Sequence, residues 1–187
     1  MGQGTAEGHQ LTGRPPGLAK PAQRGLTLIE LLVTLAVVIL MATWGIPSFQ
    51  QFTARNEVAA EVIRIKTALA LARNTAITRR ATISVCPASS AVSTNCDLSD
   101  WSLPILIVEG QAPSGDLTSS SLLKVMEGTG QPTSSFNRDT PLRFQSTGWS
   151  RGHNGTITIC GYDGQGADII INNMGRVRTE KSTSCQS

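Results

Sequence analysis

Aromatic residues make up only 4% of this 187-residue chain, which disfavours base stacking on an aromatic platform as a main mode of binding. Histidine is scarcer still, with His9 and His153 far apart. The four cysteines, Cys86, Cys96, Cys160 and Cys185, form no CxxC pair. That leaves no zinc-ligand spacing, and no metal site is expected. Charge is also sparse: a net +3 declares no strong polyanion binder by its total. His153 stands in WSRGHNG, a Gly-flanked loop without a Ser or Cys nucleophile motif beside it. It reads as a solvated loop residue. The glycines of GYDGQGAD lie between two strand candidates rather than before a helix, so they do not cradle phosphate. Asp163-Gly164 there reads as hairpin turn chemistry. Neither an enzyme nor a cofactor is expected.

What the chain does have is RGLTLIELLVTLAVVILMATWGIP, Arg24 to Pro47, an apolar run about long enough to span a bilayer. It keeps a carboxylate, Glu30, near its start. Such a charge costs roughly 2.5–3.5 kcal/mol near a bilayer centre, so it marks a functional position with a partner. The preceding residues, 1–25, are rich in Gly and Pro, carry Arg14, Lys20 and Arg24, and lack an apolar core. They are expected to be disordered and to stay on the cytoplasmic side. No A-x-A site follows the apolar run, so it is expected to be retained rather than removed as a secretory signal.

The junction RG-LTLIE resembles the prepilin cleavage signature: a glycine, then an apolar run with glutamate as its fifth residue. The resemblance implies cleavage by prepilin peptidase between Gly25 and Leu26, followed by methylation of the new amine. Leu26 departs from the phenylalanine most often found there. Glu30 then pairs with the amine at Leu26, of the same or a neighbouring subunit, offsetting the burial of both charges and setting axial register in a filament.

Beyond Pro47, Val58, Val62, Ile65, Leu69, Ala72 and Ala76 recur as one stripe of an amphipathic helix. Glu57, Glu61 and Arg64 lie off that stripe and are expected to face water. A helix from about Leu26 to Arg80 follows, bent at Gly45 and Pro47. From Ala81 the period becomes that of strands, at 81–86, 103–109, 121–127, 142–146, 155–160, 167–172 and 176–180, separated by loops. The expected architecture is α+β, a lollipop with a long N-terminal helix and antiparallel sheets in the head. Its parts are a leader at 1–25, a transmembrane half-helix at 26–50 and a head at 51–187. Four cysteines after a membrane segment favour an oxidising compartment and two disulfides, for which three connectivities exist. The local pairs Cys86–Cys96 and Cys160–Cys185 are favoured because each closes one loop within the head.

The helix end ALALARNTAITRR, then ATISVCP, CDLSDW and LRFQSTGWS, resemble the GspH/FimT group of minor pilins and pseudopilins. In NNMGRVRTEKSTSC, alternation places Arg176 and Arg178 on one strand face about 7 Å apart, close to the spacing of successive phosphates. A disulfide to Cys185 would hold this tail, contributing roughly 3 kcal/mol. GRVR also resembles the Gly-Arg-x-Arg motif of FimT-type minor pilins, which bind DNA during natural transformation. That resemblance falls on Gly175, Arg176 and Arg178; proximity adds Lys181. The competing reading pairs the arginines with Glu180 or Asp168. Arg73, Arg79 and Arg80 complement the helix C-terminal dipole, and join a DNA track only if the fold brings them beside the tail. Two functions follow. One is a pilus subunit capturing double-stranded DNA without sequence preference. The other is a structural pseudopilin of a type II secretion system. Both imply an inner-membrane precursor with a periplasmic head, other pilins or pseudopilins as partners, and a filament as destination.

Overall fold

The computed structural model describes residues 25–185, and the leader expected at 1–25 lies outside them except for Gly25. The chain divides into two compact units, 1–41 and 42–187. One helix, α1 (Leu28–Arg79), contributes to both and runs on through Pro47 without ending. It starts where Thr27 can cap it: the Thr27 hydroxyl accepts the Glu30 N–H at 3.3 Å. Thr27-x-x-Glu30 has the spacing of a capping box, and Glu30 stands in the first turn, where the helix dipole favours a carboxylate. In the first unit every described residue is exposed. Taken whole, α1 is long enough, and near its N-terminus apolar enough, to cross a membrane.

The second unit holds the remainder of α1 and eight strands. One sheet has the order β3 (Ser121–Met126), β2 (Ile105–Glu109), β1 (Ile83–Pro87), β5 (Leu142–Phe144); the other runs β4 (Thr133–Phe136), β6 (Gly155–Cys160), β7 (Gly166–Ile171), β8 (Val177–Lys181). All pairings are antiparallel. The stripe of α1 supplies Val58, Ile65, Leu69, Ala72 and Ala76 to a core shared with both sheets. β1 is buried throughout. Its second face is covered by a smaller cluster in which Ala112 and Leu117 from the long connection pack on Cys86, Leu106 and Val108. Cys86–Cys96 and Cys160–Cys185 are both disulfides.

Three expectations need correction. Glu61 does not face water. It is 0% exposed and grips Arg64 with both carboxylate oxygens, at 2.5 and 2.8 Å. Arg64 in turn donates to the backbone carbonyls of Trp101, Leu103 and Glu127, which the loops bring to the helix flank. Secondly, β4 was not among the expected strands, because TSSF buries Ser134 with Phe136 and so shows no apolar alternation. Thirdly, β1 begins at Ile83 rather than Ala81. Arg80 takes a left-handed backbone (φ 52°), and the Ala81 N–H returns to the Ala76 carbonyl to close the helix. The long connections expected around 88–100 and 110–120 are present. Asp163 (φ 56°) and Gly164 (φ 66°) form a turn with both central residues left-handed, as a tight β6–β7 hairpin requires.

Candidate nucleic-acid interface

The β7–β8 connection, residues 172–176, is built on a four-residue turn, 172–175. The Gly175 N–H donates to the Asn172 carbonyl at 2.9 Å, and the Asn172 N–H to the Arg176 carbonyl at 3.1 Å. The Asn172 side chain also accepts the Arg176 N–H at 2.9 Å. Gly175 is left-handed (φ 71°) and lies against the Gly148 carbonyl, where a β-carbon would collide with that oxygen. Arg73 of α1 clasps both strands of this junction. Its guanidinium donates to Gly148 O at 3.1 Å and to Met174 O at 3.4 Å. The Ser150 N–H adds a bond to Asn173 O at 2.9 Å. The turn carrying the Gly-Arg-x-Arg residues is therefore built against the β5–β6 loop and the helix, not hung from the tail.

From this turn β8 runs as an edge strand. Val177 pairs with Ile171, Arg178 with Ile170, Glu180 with Asp168 and Lys181 with Ala167. Ile171 and Ala167 are core-facing, so the even-numbered residues Arg178 and Glu180 share the opposite, outer face, while Arg176, expected to open the strand, stands in the turn just before it. Arg176 and Arg178 are both exposed. Arg178 forms an ion pair with Glu180 at 3.2 Å, with the two side chains 69% and 54% exposed. Among the described residues Arg176 has no ion pair.

A sequence profile described as type II transport protein GspH matches residues 61–175, more than half of the chain. The chain belongs to the GspH family. A second profile, the prokaryotic N-terminal methylation motif, matches residues 20–45. Two curated proteins described as fimbrial protein, from Pseudomonas aeruginosa, are 44% identical over 50 residues. That stretch covers 25% of this chain and 32%, about a third, of theirs. Among solved structures, the type IV minor pilin FimU of Pseudomonas aeruginosa superposes in two crystal forms. The TM-scores are 0.53 and 0.50, at 24% and 23% identity, over 72% and 68% of this chain and 99% of each solved one. A long N-terminal helix followed by antiparallel sheets is thus the type IV pilin fold, in a family of minor pilins and pseudopilins.

Within this GspH-family head, the residues expected to form one basic track separate. Lys181 is out of phase with the arginines. It lies with Thr179, Arg55 and Gln165 along the groove beside α1, because an odd-numbered residue of β8 faces the helix side. Arg79 pairs with Glu109 at 3.0 Å. Arg73 does reach the turn, where two of its five N–H donors are engaged by the carbonyls of Gly148 and Met174. The disulfide also acts elsewhere than expected. Cys185 bonds Cys160 at the end of β6 that pairs with the start of β7, whereas Val177 lies opposite the end of β7. It secures the far end of the tail, while Gly148 and Arg73 secure the arginine turn.

His153 is not a solvated residue either. It is partly buried, and its Nδ1 lies 3.0 Å from Pro141 O. Because a carbonyl can only accept, Nδ1 carries the proton. Burial and the charges of Arg143 and Arg138 hold this imidazole below its ordinary value, against the smaller opposing effect of the Pro141 contact. His153 is thus a neutral anchor of the β5–β6 loop.

Proposed function

We propose that this GspH-family protein is a minor type IV pilin whose head binds double-stranded DNA without sequence preference, for uptake in natural transformation. What supports the reading is the clasped turn leading into an exposed edge strand: Arg176 stands in the turn, two residues before Arg178 of β8, and positions two apart in an extended chain are about 7 Å apart. Two forked guanidiniums at that spacing can follow successive phosphates while reading no bases. The Arg178–Glu180 pair does not forbid it, since an exposed ion pair is worth only about 0–1 kcal/mol and yields to a polyanion. It does rank the arginines: Arg176→Ala should lower affinity more than Arg178→Ala. Titration of the full-length protein in detergent with duplexes of unrelated sequence should give micromolar binding at low salt. Each arginine contact should contribute about −0.9 to the slope of log affinity against log salt, so the slope should flatten by about 0.9 in either variant. Binding by the double alanine variant equal to wild type would sink the reading. The second reading, a structural pseudopilin of type II secretion, then takes its place; the family's own description and the Glu180 partner favour it.

The N-terminal part of the reading concerns maturation. Prepilin peptidase cleaves between Gly25 and Leu26, the Leu26 amine is methylated, and the head is periplasmic until the subunit joins a filament. Glu30 serves assembly by pairing with that amine, beyond its place in the first helical turn. Glu30→Ala should insert into the membrane no worse than wild type, because a charge is removed. Its incorporation into filaments should fall, because the amine loses its partner. Equal incorporation, measured by immunoblot of sheared filaments, rules out the pairing; an intact-mass measurement showing Gly25 still attached rules out the cleavage.

A further inference from the structure

Beside the arginine turn, the β5–β6 loop carries a second cation in an unusual setting. The Arg151 guanidinium carbon lies 4.2 Å above the centre of the Trp149 ring, well within cation–π range. Trp149 is 36% exposed and Arg151 is exposed. The Trp149 ring fixes the direction of a long, flexible cation. The loop that bears the pair is anchored on both sides. The Gln145 N–H donates to Trp149 O at 2.8 Å, Gly148 O takes the Arg73 bond at 3.1 Å, and His153 holds Pro141 O at 3.0 Å. Between Trp149 and Arg151, buried Ser150 gives its N–H to Asn173 of the arginine turn. Two segments far apart in sequence thus form one rigid ledge with cations at both ends. Among the described residues Arg151 makes no ion pair, so no carboxylate competes for it.

We infer that Arg151, pre-oriented by Trp149, is the third phosphate contact of the DNA-binding surface, in the place that Lys181 cannot fill from the opposite face of β8. This rests on the reading of Arg176 and Arg178 as phosphate contacts. The partner is the phosphate backbone of a duplex. Stacking a base on the ring face that Arg151 covers would evict the guanidinium, so Trp149 acts as a positioning residue. Ordering one long side chain before binding removes part of the entropy that would otherwise oppose the contact.

The test is fluorescence anisotropy of a labelled random-sequence duplex with the full-length protein in detergent, over a range of salt. Arg151→Ala should weaken binding about tenfold at low salt, the equivalent of one charge-assisted hydrogen bond. It should flatten the salt slope by about 0.9, bringing the three-contact slope from about −2.7 to about −1.8. Trp149→Ala should weaken binding nearly as much, and the double variant no further, because the ring works through Arg151. Trp149→Phe should keep most of the affinity, and Arg151→Lys should retain the slope while losing part of the affinity. Lys181→Ala should match wild type. Circular dichroism melts of each variant check that the loop substitutions leave the fold intact. An unchanged slope in Arg151→Ala, with Arg176→Ala still impaired, overturns this inference alone. Wild-type binding in Arg176→Ala and Arg178→Ala overturns the DNA reading, and this inference with it.

Discussion

Glu61→Ala should destabilise the head by about 3–5 kcal/mol, although no apolar atom of the core is removed. Glu61 is fully buried and Arg64 is 11% exposed. Breaking a buried pair on one side leaves the other charge uncompensated, and that residue sets the cost. Here the orphan would be a guanidinium that also donates to the carbonyls of Trp101, Leu103 and Glu127 at 2.6, 3.3 and 3.1 Å. Glu61 additionally accepts from Thr129 Oγ1 at 2.9 Å and Ser134 Oγ at 3.4 Å. The pair therefore joins α1 to the loops before β2 and after β3, and to β4. Arg64→Ala should lose a similar amount, because the carboxylate is then buried with two weak donors. Replacing both with leucine should cost clearly less than the sum of the single losses, since neither charge is left behind. Denaturant unfolding followed by Trp101 fluorescence, with Trp44 and Trp149 changed to Phe, measures all three. A single-variant loss below about 1 kcal/mol would show that water reaches the pair.

This pair also shows where reading the chain stops. The apolar stripe from Val58 to Ala76 was legible because helix periodicity and burial coincide there. Glu61 and Arg64 look like an ordinary surface pair three residues apart. What buries them is remote: loop carbonyls between residues 101 and 127 that reach the helix with no backbone donor to meet. No local pattern encodes that. The face of Lys181, by contrast, was available from parity alone. The alternation that puts Arg176 and Arg178 together sends residue 181 with Val177, so proximity in sequence was the wrong guide. The disulfides were legible because each closes a short local loop, while β4 was not, since a buried serine replaces one of its apolar signals. The ledge made by residues 148–151 and 172–176 joins two segments by three kinds of contact, none of which has a sequence signature.

Gly175→Val should unlock that ledge and take both stability and DNA affinity with it. At φ 71° an L-residue carries roughly 1–2 kcal/mol of strain, and a β-branched one is a rare outlier. The added β-carbon would also run into the Gly148 carbonyl oxygen and sit 3.3 Å from Arg73 Nε. Neither neighbour can yield easily, because each is held by the other through the 3.1 Å hydrogen bond. Strain and overpacking together should cost about 2–4 kcal/mol. The Arg176 and Arg178 guanidiniums would keep their charge but lose their fixed spacing, so DNA affinity should fall as far as in the double arginine variant. The Cys160–Cys185 bond should still form, since it lies at the other end of β7 and β8. Asparagine at 175 separates the two causes. It tolerates a left-handed backbone yet still carries the β-carbon that meets Gly148. Recovery of melting temperature and binding in Gly175→Asn would assign the requirement to backbone conformation; continued loss assigns it to the contact. Wild-type melting and binding in Gly175→Val would mean that the turn does not need the Gly148 junction, and the arginines would then have to be placed by β8 alone.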